Sequence, residues 1–422
     1  MSEDIWEPYK NLLGTEIIDQ LYQIADLLKG VKIVHVNSTK VGGGVAEILT
    51  KLVPLSNALG LNTEWLVMKG TNDFFQCTKM FHNIFQGRGR ALPNATLLKA
   101  YEETNAQNAK EFAPILQEAD IVFIHDPQPL PFIANIQKKK DAKWIWRCHI
   151  EVTPASRLVW KYLKKYVSNY DATIFSLEDF VQPLPHPTFL IPPSIDPFSE
   201  KNIELDQAEI EQVMRQFGID PKRPVVLQAS RFDIFKDPIG VVGAYKLAKK
   251  FNPTLQLILA GGGADDDPEA GAVLHEVMES SKDDPDIHIL NLPPNARVIN
   301  ALQRGADIVL QKSVREGFGL TVTEALWKSK PVIGGNTGGI RLQLINHYTG
   351  YLVNTPEGAA NRIRYLLQNP EKGKQLGTAG KHHVKENFLI TRHLREYLTV
   401  MASLRRATGS RVDLSRRITP PK

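Results

Sequence analysis

Two carboxylates with seven residues between them, Glu316 and Glu324, flank a glycine-containing turn in Glu-Gly-Phe-Gly-Leu-Thr-Val-Thr-Glu-Ala-Leu. An apolar run, Ala-Asp-Ile-Val-Leu-Gln-Lys-Ser, leads into it, so the pattern reads strand, loop, helix. Gly317 and Gly319 would let the amides of Phe318, Gly319, Leu320 and Thr321 face an anion at the positive end of that helix. Glu324, one turn on from Leu320, can accept both hydroxyls of a ribose, and Glu316, ahead of the helix, is free to contact a sugar being transferred. A capping carboxylate beside an exposed helical glutamate is the plainer alternative.

A second loop, Gln-Ala-Ser-Arg-Phe-Asp-Ile-Phe-Lys-Asp-Pro, also follows a strand-like run and carries Arg231 and Lys236. A guanidinium fork and a movable ammonium within one short loop suit a diphosphate, though a solvated basic pair would look the same. Gly42, Gly43 and Gly44 stand between a third strand-like run and a helical one, where bare amides could meet a phosphate or a sugar. The run is neither a dinucleotide fingerprint nor a Walker loop, and a tight strand-to-helix turn explains it equally well. His149 and Asp126 each end an apolar run, which places both at a cleft if the strands are parallel. Asp265, Asp266 and Asp267 read as a solvated acidic turn and not as a metal site.

These residues need rigid elements behind them. From residue 31 short β-branched runs alternate with longer helical ones: VKIVHVNS, AEILTKLVPLSNALG and NTEWLVMKG, then ADIVFIHDP, KWIWRCHI and DATIFSL. That alternation predicts an α/β fold with a parallel sheet. The stretch PLPHPTFLIPPSIDPFSE excludes a helix or a central strand and marks a boundary. Beyond it, after a helix presenting Ile210, Val213, Met214 and Phe217 on one face, strands recur as PVVLQASR, TLQLILAGGG, IHILNLP, ADIVLQKS, KPVIGGN and GYLVN. The expected architecture is two doubly wound, Rossmann-like domains facing a central cleft: residues 1–195 on the acceptor side, 196–390 on the donor side, and 391–422 as a C-terminal helix and basic tail packing back on the first.

With 422 residues, 42% hydrophobic and 23% charged, the chain is long enough for two cores. A formal charge of +5 argues for no nucleic-acid partner, and no apolar run is long enough to span a membrane. Cys77 and Cys148 fit neither a disulfide framework nor a metal spacing, and the acidic N-terminus lacks a secretory pattern, so a cytoplasmic location is expected.

The EGFGLTVTEAL segment together with SRFDIFKDP resembles the signature of the retaining glycosyltransferase family 4, which has the GT-B fold. The segments HVNSTKVGGGVAEIL, MKGTNDFFQCTKMFHNIFQG and WRCHIEVTPAS are similar to its trehalose-forming and trehalose-phosphorolysing members, so the likeness spans nearly the whole chain. It implies transfer of glucose from a nucleoside-diphosphate-glucose to free glucose with retention, giving α,α-trehalose. Arg231 and Lys236 would then stabilise the departing diphosphate, His149 would bond the transferred sugar and Asp126 would bind sugar hydroxyls. The glycine turn, Phe318 to Thr321 and Glu324 would hold the nucleotide-sugar. No metal and no other cofactor is implied, and a homodimer is. Phosphate attacking trehalose, another acceptor, and a silent nucleotide-sugar-binding protein are the competing expectations.

Overall fold

The computed structural model describes residues 4–41, 43–89, 91–152, 157–262 and 270–406. Gly42, the Asp265–Asp267 run and the basic tail beyond Arg406 lie outside the described residues.

The first sheet is built from β1 (Lys32–Asn37), β2 (Asn62–Val67), β3 (Ile121–His125), β4 (Lys143–Arg147), β5 (Ala172–Phe175) and β6 (Thr188–Leu190), in the order β2-β1-β3-β4-β5-β6. The second comprises β7 (Val225–Ala229), β8 (Gln256–Gly261), β9 (Ile287–Asn291), β10 (Ile308–Gln311), β11 (Val332–Gly335) and β12 (Tyr351–Val353), in the order β12-β11-β10-β7-β8-β9. Every neighbouring pair is parallel. Strand order reverses between β1 and β3 in one sheet and between β7 and β10 in the other. Such reversals leave a crevice beyond the carboxyl ends of the strands.

β6 lies inside the proline-rich stretch that the sequence reading treated only as a boundary. It is a three-residue edge strand, where proline neighbours disturb no inner ladder.

Each sheet is buried on both faces. Val34, Val36, Val122, Ile124, Trp144 and Trp146 point into one core with Phe74, Phe81 and Tyr101. The alternate residues Ile33, Ile121, Phe123, Ile145 and Ile174 point the other way, onto Leu49 and Leu52 of the helix Gly44–Ala58 and onto Leu394, Tyr397 and Leu398 of the final helix Ile390–Arg406. The second sheet splits likewise, Val225, Leu227 and Val309 facing Val322 and Leu326 while Val226, Leu257 and Leu310 face Val241 and Ile363.

The chain crosses between the sheets twice, and the crossings are bonded to each other. The Ile195 amide donates to the Phe388 carbonyl at 2.9 Å, and the Ile390 amide to the Ile195 carbonyl at 2.9 Å. Arg392 clamps the carbonyls of Pro192 and Pro193 at 2.8 and 2.9 Å. Among the described residues, no helix is long and apolar enough to cross a membrane.

Leu394 is fully buried in the first sheet's core although it lies near the end of the chain. Leu394→Ala is expected to cost about 2–5 kcal/mol, read as a lower denaturant midpoint.

Candidate active site

The loops after β7 and β10 flank the reversal of the second sheet and are stitched together by a bond of 2.9 Å from the Val314 amide to the Phe235 carbonyl. That stitch brings Lys236 onto Glu316: its Nζ lies 2.7 Å from Oε1 and 2.6 Å from Oε2. The Ser313 hydroxyl donates to Oε2 at 3.0 Å and itself accepts from Gln311 Nε2 at 3.0 Å. Gln311 Oε1 in turn accepts from Thr321 Oγ1 at 3.4 Å. Glu316 was expected to contact the transferred sugar and Lys236 a diphosphate; the structure also pairs the two with each other, because the two loops leave one switch point side by side. At 6% exposure Glu316 requires such partners.

Gly319, with φ of 84°, is the left-handed N-cap of the helix Leu320–Trp327. The Val322 amide donates to the Gly319 carbonyl at 2.9 Å, while Leu320 and Thr321, whose first-turn amides have no intrahelical acceptor, line the cavity beside Glu316. Gln343 holds the turn from behind, donating from Nε2 to the Phe318 carbonyl at 2.6 Å.

The first sheet closes the other side. Gly317 packs on the His149 carbonyl so tightly that a Cβ there would come within 2.6 Å of it. Gly44 meets Leu320 in the same way, at 2.9 Å from its Cδ1. Between the two sheets lies a cavity of about 420 Å³, whose walls include Gly43, Gly44, Asp126, His149, Arg231 and Lys236, and also Glu316 to Thr321 and Glu324. The expected site residues that the structure describes therefore converge on one space.

Some of them are already engaged. Asp126, at φ of 63°, accepts from the His149 amide at 2.7 Å, so one oxygen of the carboxylate expected to bind sugar instead fixes the histidine backbone. Burial pushes Asp126 up to about 6, against the pull of the His149 amide and Arg147. His149 Nε2 lies 3.0 Å from His125 Nδ1. Burial, then Arg147, His125 and His393, holds His149 well below the usual imidazole range, so the ring is neutral. Glu324, 1% exposed, lies 3.5 Å from Lys201 Nζ and accepts from Gln303 Nε2 at 3.3 Å. Lys201 also binds Glu47 at 2.5 Å, joining the helix behind the glycine turn to the expected ribose carboxylate.

Four contributors escaped the sequence reading. Lys79 and His82 line the cavity from the helix Asn72–Phe85 and Gln86 from its C-cap, with Lys79 at 3.7 Å from Asp233, and Lys201 lines it from just after the first crossing. Burial, assisted by Lys79, lowers His82 to about 4. Burial alone would raise Asp233, but the Phe235 amide and the cations Lys79, Lys236 and Arg231 outweigh it and bring the carboxyl below its ordinary value. The spacing of Lys79, His82 and Gln86 on one helical face was the available signal. Among the described residues no group of three or more His, Cys, Asp or Glu side chains could hold a metal ion.

Two family models cover most of this architecture: "Trehalose synthase, N-terminal domain" matches residues 35–182 and "Glycosyl transferases group 1" matches residues 209–383. Over 402 residues the chain is 42% identical to the trehalose synthase of Pyrococcus horikoshii, covering 94% of this chain and 96% of that one. This chain belongs to the trehalose synthase family. It has the GT-B fold and is a glycosyltransferase. A trehalose phosphorylase of Pleurotus pulmonarius is 31% identical over 437 residues, covering 91% of this chain and 59% of that one. A solved E. coli trehalose-6-phosphate chain bound with UDP-2-fluoro glucose shares the fold at a TM-score of 0.73 and 15% identity, covering 89% of this chain and 99% of that one. In this trehalose synthase family member both matched regions contribute walls to the cavity, which lies between them.

The raised Asp126 carboxyl predicts a pH dependence. Between about pH 4 and pH 6 the folded chain holds a proton that the unfolded chain, with a value near 3.8, has released, so this group's contribution to stability falls as pH rises and is level above that window. Asp126→Asn keeps an acceptor for the His149 amide and removes the titration. Its stability relative to wild type is expected to rise by about 2 kcal/mol between pH 4 and pH 7, measured by urea unfolding.

Proposed function

We propose that this glycosyltransferase moves glucose from a nucleoside-diphosphate-glucose to free glucose with retention, making α,α-trehalose. One observation carries the reading: Arg231, Lys236 and the first turn of Leu320–Trp327, groups that suit an anion, line a single cavity with His149 and Glu316, which suit a sugar.

In this mechanism the oxygen of an acceptor hydroxyl bonds to the anomeric carbon on the face from which the diphosphate oxygen departs. The hydroxyl proton passes to that diphosphate oxygen, so the leaving group is also the base. Arg231, Lys236 and the helix amides stabilise the charge that collects there, which requires no metal. Lys236 would exchange Glu316 for phosphate oxygens, releasing the carboxylate to the transferred sugar. His149, neutral, offers one ring nitrogen to the same sugar. Glu324 beside Lys201 would take the ribose. Water is a competing acceptor, and the ion pairs spanning the cleft, Arg315 with Glu151 at 2.9 Å and Lys79 with Asp233 at 3.7 Å, favour a closed, dry arrangement.

Phosphorolysis of trehalose is the second reading. The likeness to the Pleurotus phosphorylase favours it, and inorganic phosphate would fill part of the diphosphate position.

NMR of the product formed from ADP-, UDP- or GDP-glucose plus glucose, without phosphate, tests the proposal. An α,α-1,1 disaccharide with free nucleoside diphosphate is expected. Glucose 1-phosphate formed only from trehalose and phosphate would favour phosphorolysis. Arg231→Ala is expected to lower kcat about 10²–10³-fold with the fold intact, and Glu316→Ala to abolish most transfer; a wild-type rate in either would contradict the site.

A further inference from the structure

The neutral ring of His149 is the outer end of a chain. His125 Nδ1 lies 3.0 Å from His149 Nε2, and His125 Nε2 lies 3.0 Å from His35 Nδ1. The rings belong to neighbouring strands, His35 on β1, His125 ending β3 and His149 just after β4, so the chain runs across the first sheet at its own order reversal. His35 is clamped, stacked on Phe123 at 4.7 Å between ring centres and facing Tyr397 of the final helix at 6.3 Å. Arg147, Asp126, His393 and Arg392 are the charged or titratable groups around the chain. Burial holds His35 down to about 3 and His125 well below its usual range, so all three rings are neutral.

A neutral imidazole has one N–H and one bare nitrogen, and each ring-to-ring bond holds one proton. Only two proton orders satisfy both bonds. If His35 Nδ1 donates to His125, then His125 Nδ1 donates to His149, and His149 carries its proton on Nδ1. In the opposite order His149 donates inward and its Nδ1 is a bare acceptor. Any mixed order sets two N–H groups or two lone pairs face to face in a buried site, which the missing solvent leaves uncompensated. The hydrogen-bonding role of His149 is thus tied to His35, two hydrogen bonds along the row of rings.

We propose that His125 and His35 are positioning residues that fix the tautomer and orientation of His149 and so decide whether it donates to or accepts from the sugar. This rests on the reading that His149 addresses the transferred glucose.

The test uses full-length protein labelled with ¹⁵N in histidine. In wild type the three rings are expected to share one tautomer, all Nδ1–H or all Nε2–H, and the His149 shifts are expected to leave their wild-type values in His35→Phe and in His125→Phe. The same variants are expected to lose kcat by about tenfold or more with KM for the nucleotide-sugar little changed. His35→Asn, whose amide can replace Nδ1 as donor or acceptor, is expected to return the His149 shifts toward their wild-type values and to restore most of the rate. Unchanged His149 shifts in folded His35→Phe would overturn the proposal. If wild-type protein formed no disaccharide, the functional reading would fail instead, while the nitrogen shifts, recorded on ligand-free protein, would still decide the chain.

Discussion

A carboxylate withdrawn from water has to be matched by charge or hydrogen bonds, and the arrangement around Glu316 follows from that requirement. Its oxygens take Lys236 and Ser313, Ser313 is aimed by Gln311, and Gln311 is reached by Thr321 from the helix whose first turn faces the cavity. Lys236 comes from the β7 side of the reversal, whereas Ser313, Gln311 and Thr321 share the β10 side with Glu316. The pair therefore reports that the two loops are in register, and it places a cation where charge would develop on a leaving diphosphate.

The same demand recurs across the cleft. Glu324 is matched by Lys201, Glu151 by Arg315 and Asp233 by Lys79, and each of these pairs joins segments far apart in the chain. Exposed pairs contribute little to stability, but at these partly buried positions removing one partner leaves a charge uncompensated. Lys328, next to this network, shows the cost: burial, only partly opposed by Glu324, brings its ammonium down to about 7 although it donates to Asn202 at 3.1 Å. The cleft is thus held by interactions that a polyanionic substrate could rearrange without deforming either sheet.

Much of this was legible in the residues. Parallel strands buried on both faces leave long apolar runs, so β1, β3, β4, β7, β8 and β10 stood out, and residues that end or follow all of these but β8 mark the cavity. β6 did not stand out, because a short edge strand needs few ladder bonds and tolerates prolines. Lys79, His82 and the capping Gln86 share one face, but that spacing is ordinary amphipathy in sequence, and it is the tertiary packing that sets the face against Asp233 and Phe235. Pairing was equally invisible. Spacing placed Glu316 and Lys236 at a site, but it could not show that they bond each other across eighty positions of sequence, nor that three histidines on adjacent strands would align into a chain.

Whether the loops flanking the β7/β10 reversal form the anion site of a sugar-transferring cleft is decided by a crystal structure with a nucleoside diphosphate bound. Both phosphates are expected within hydrogen-bonding distance of Arg231, Lys236 and the amides of Phe318 to Thr321, with Lys236 turned away from Glu316. Phosphates lodged on the Gly43–Gly44 turn of the first sheet, with Lys236 still closed on Glu316, would contradict that assignment.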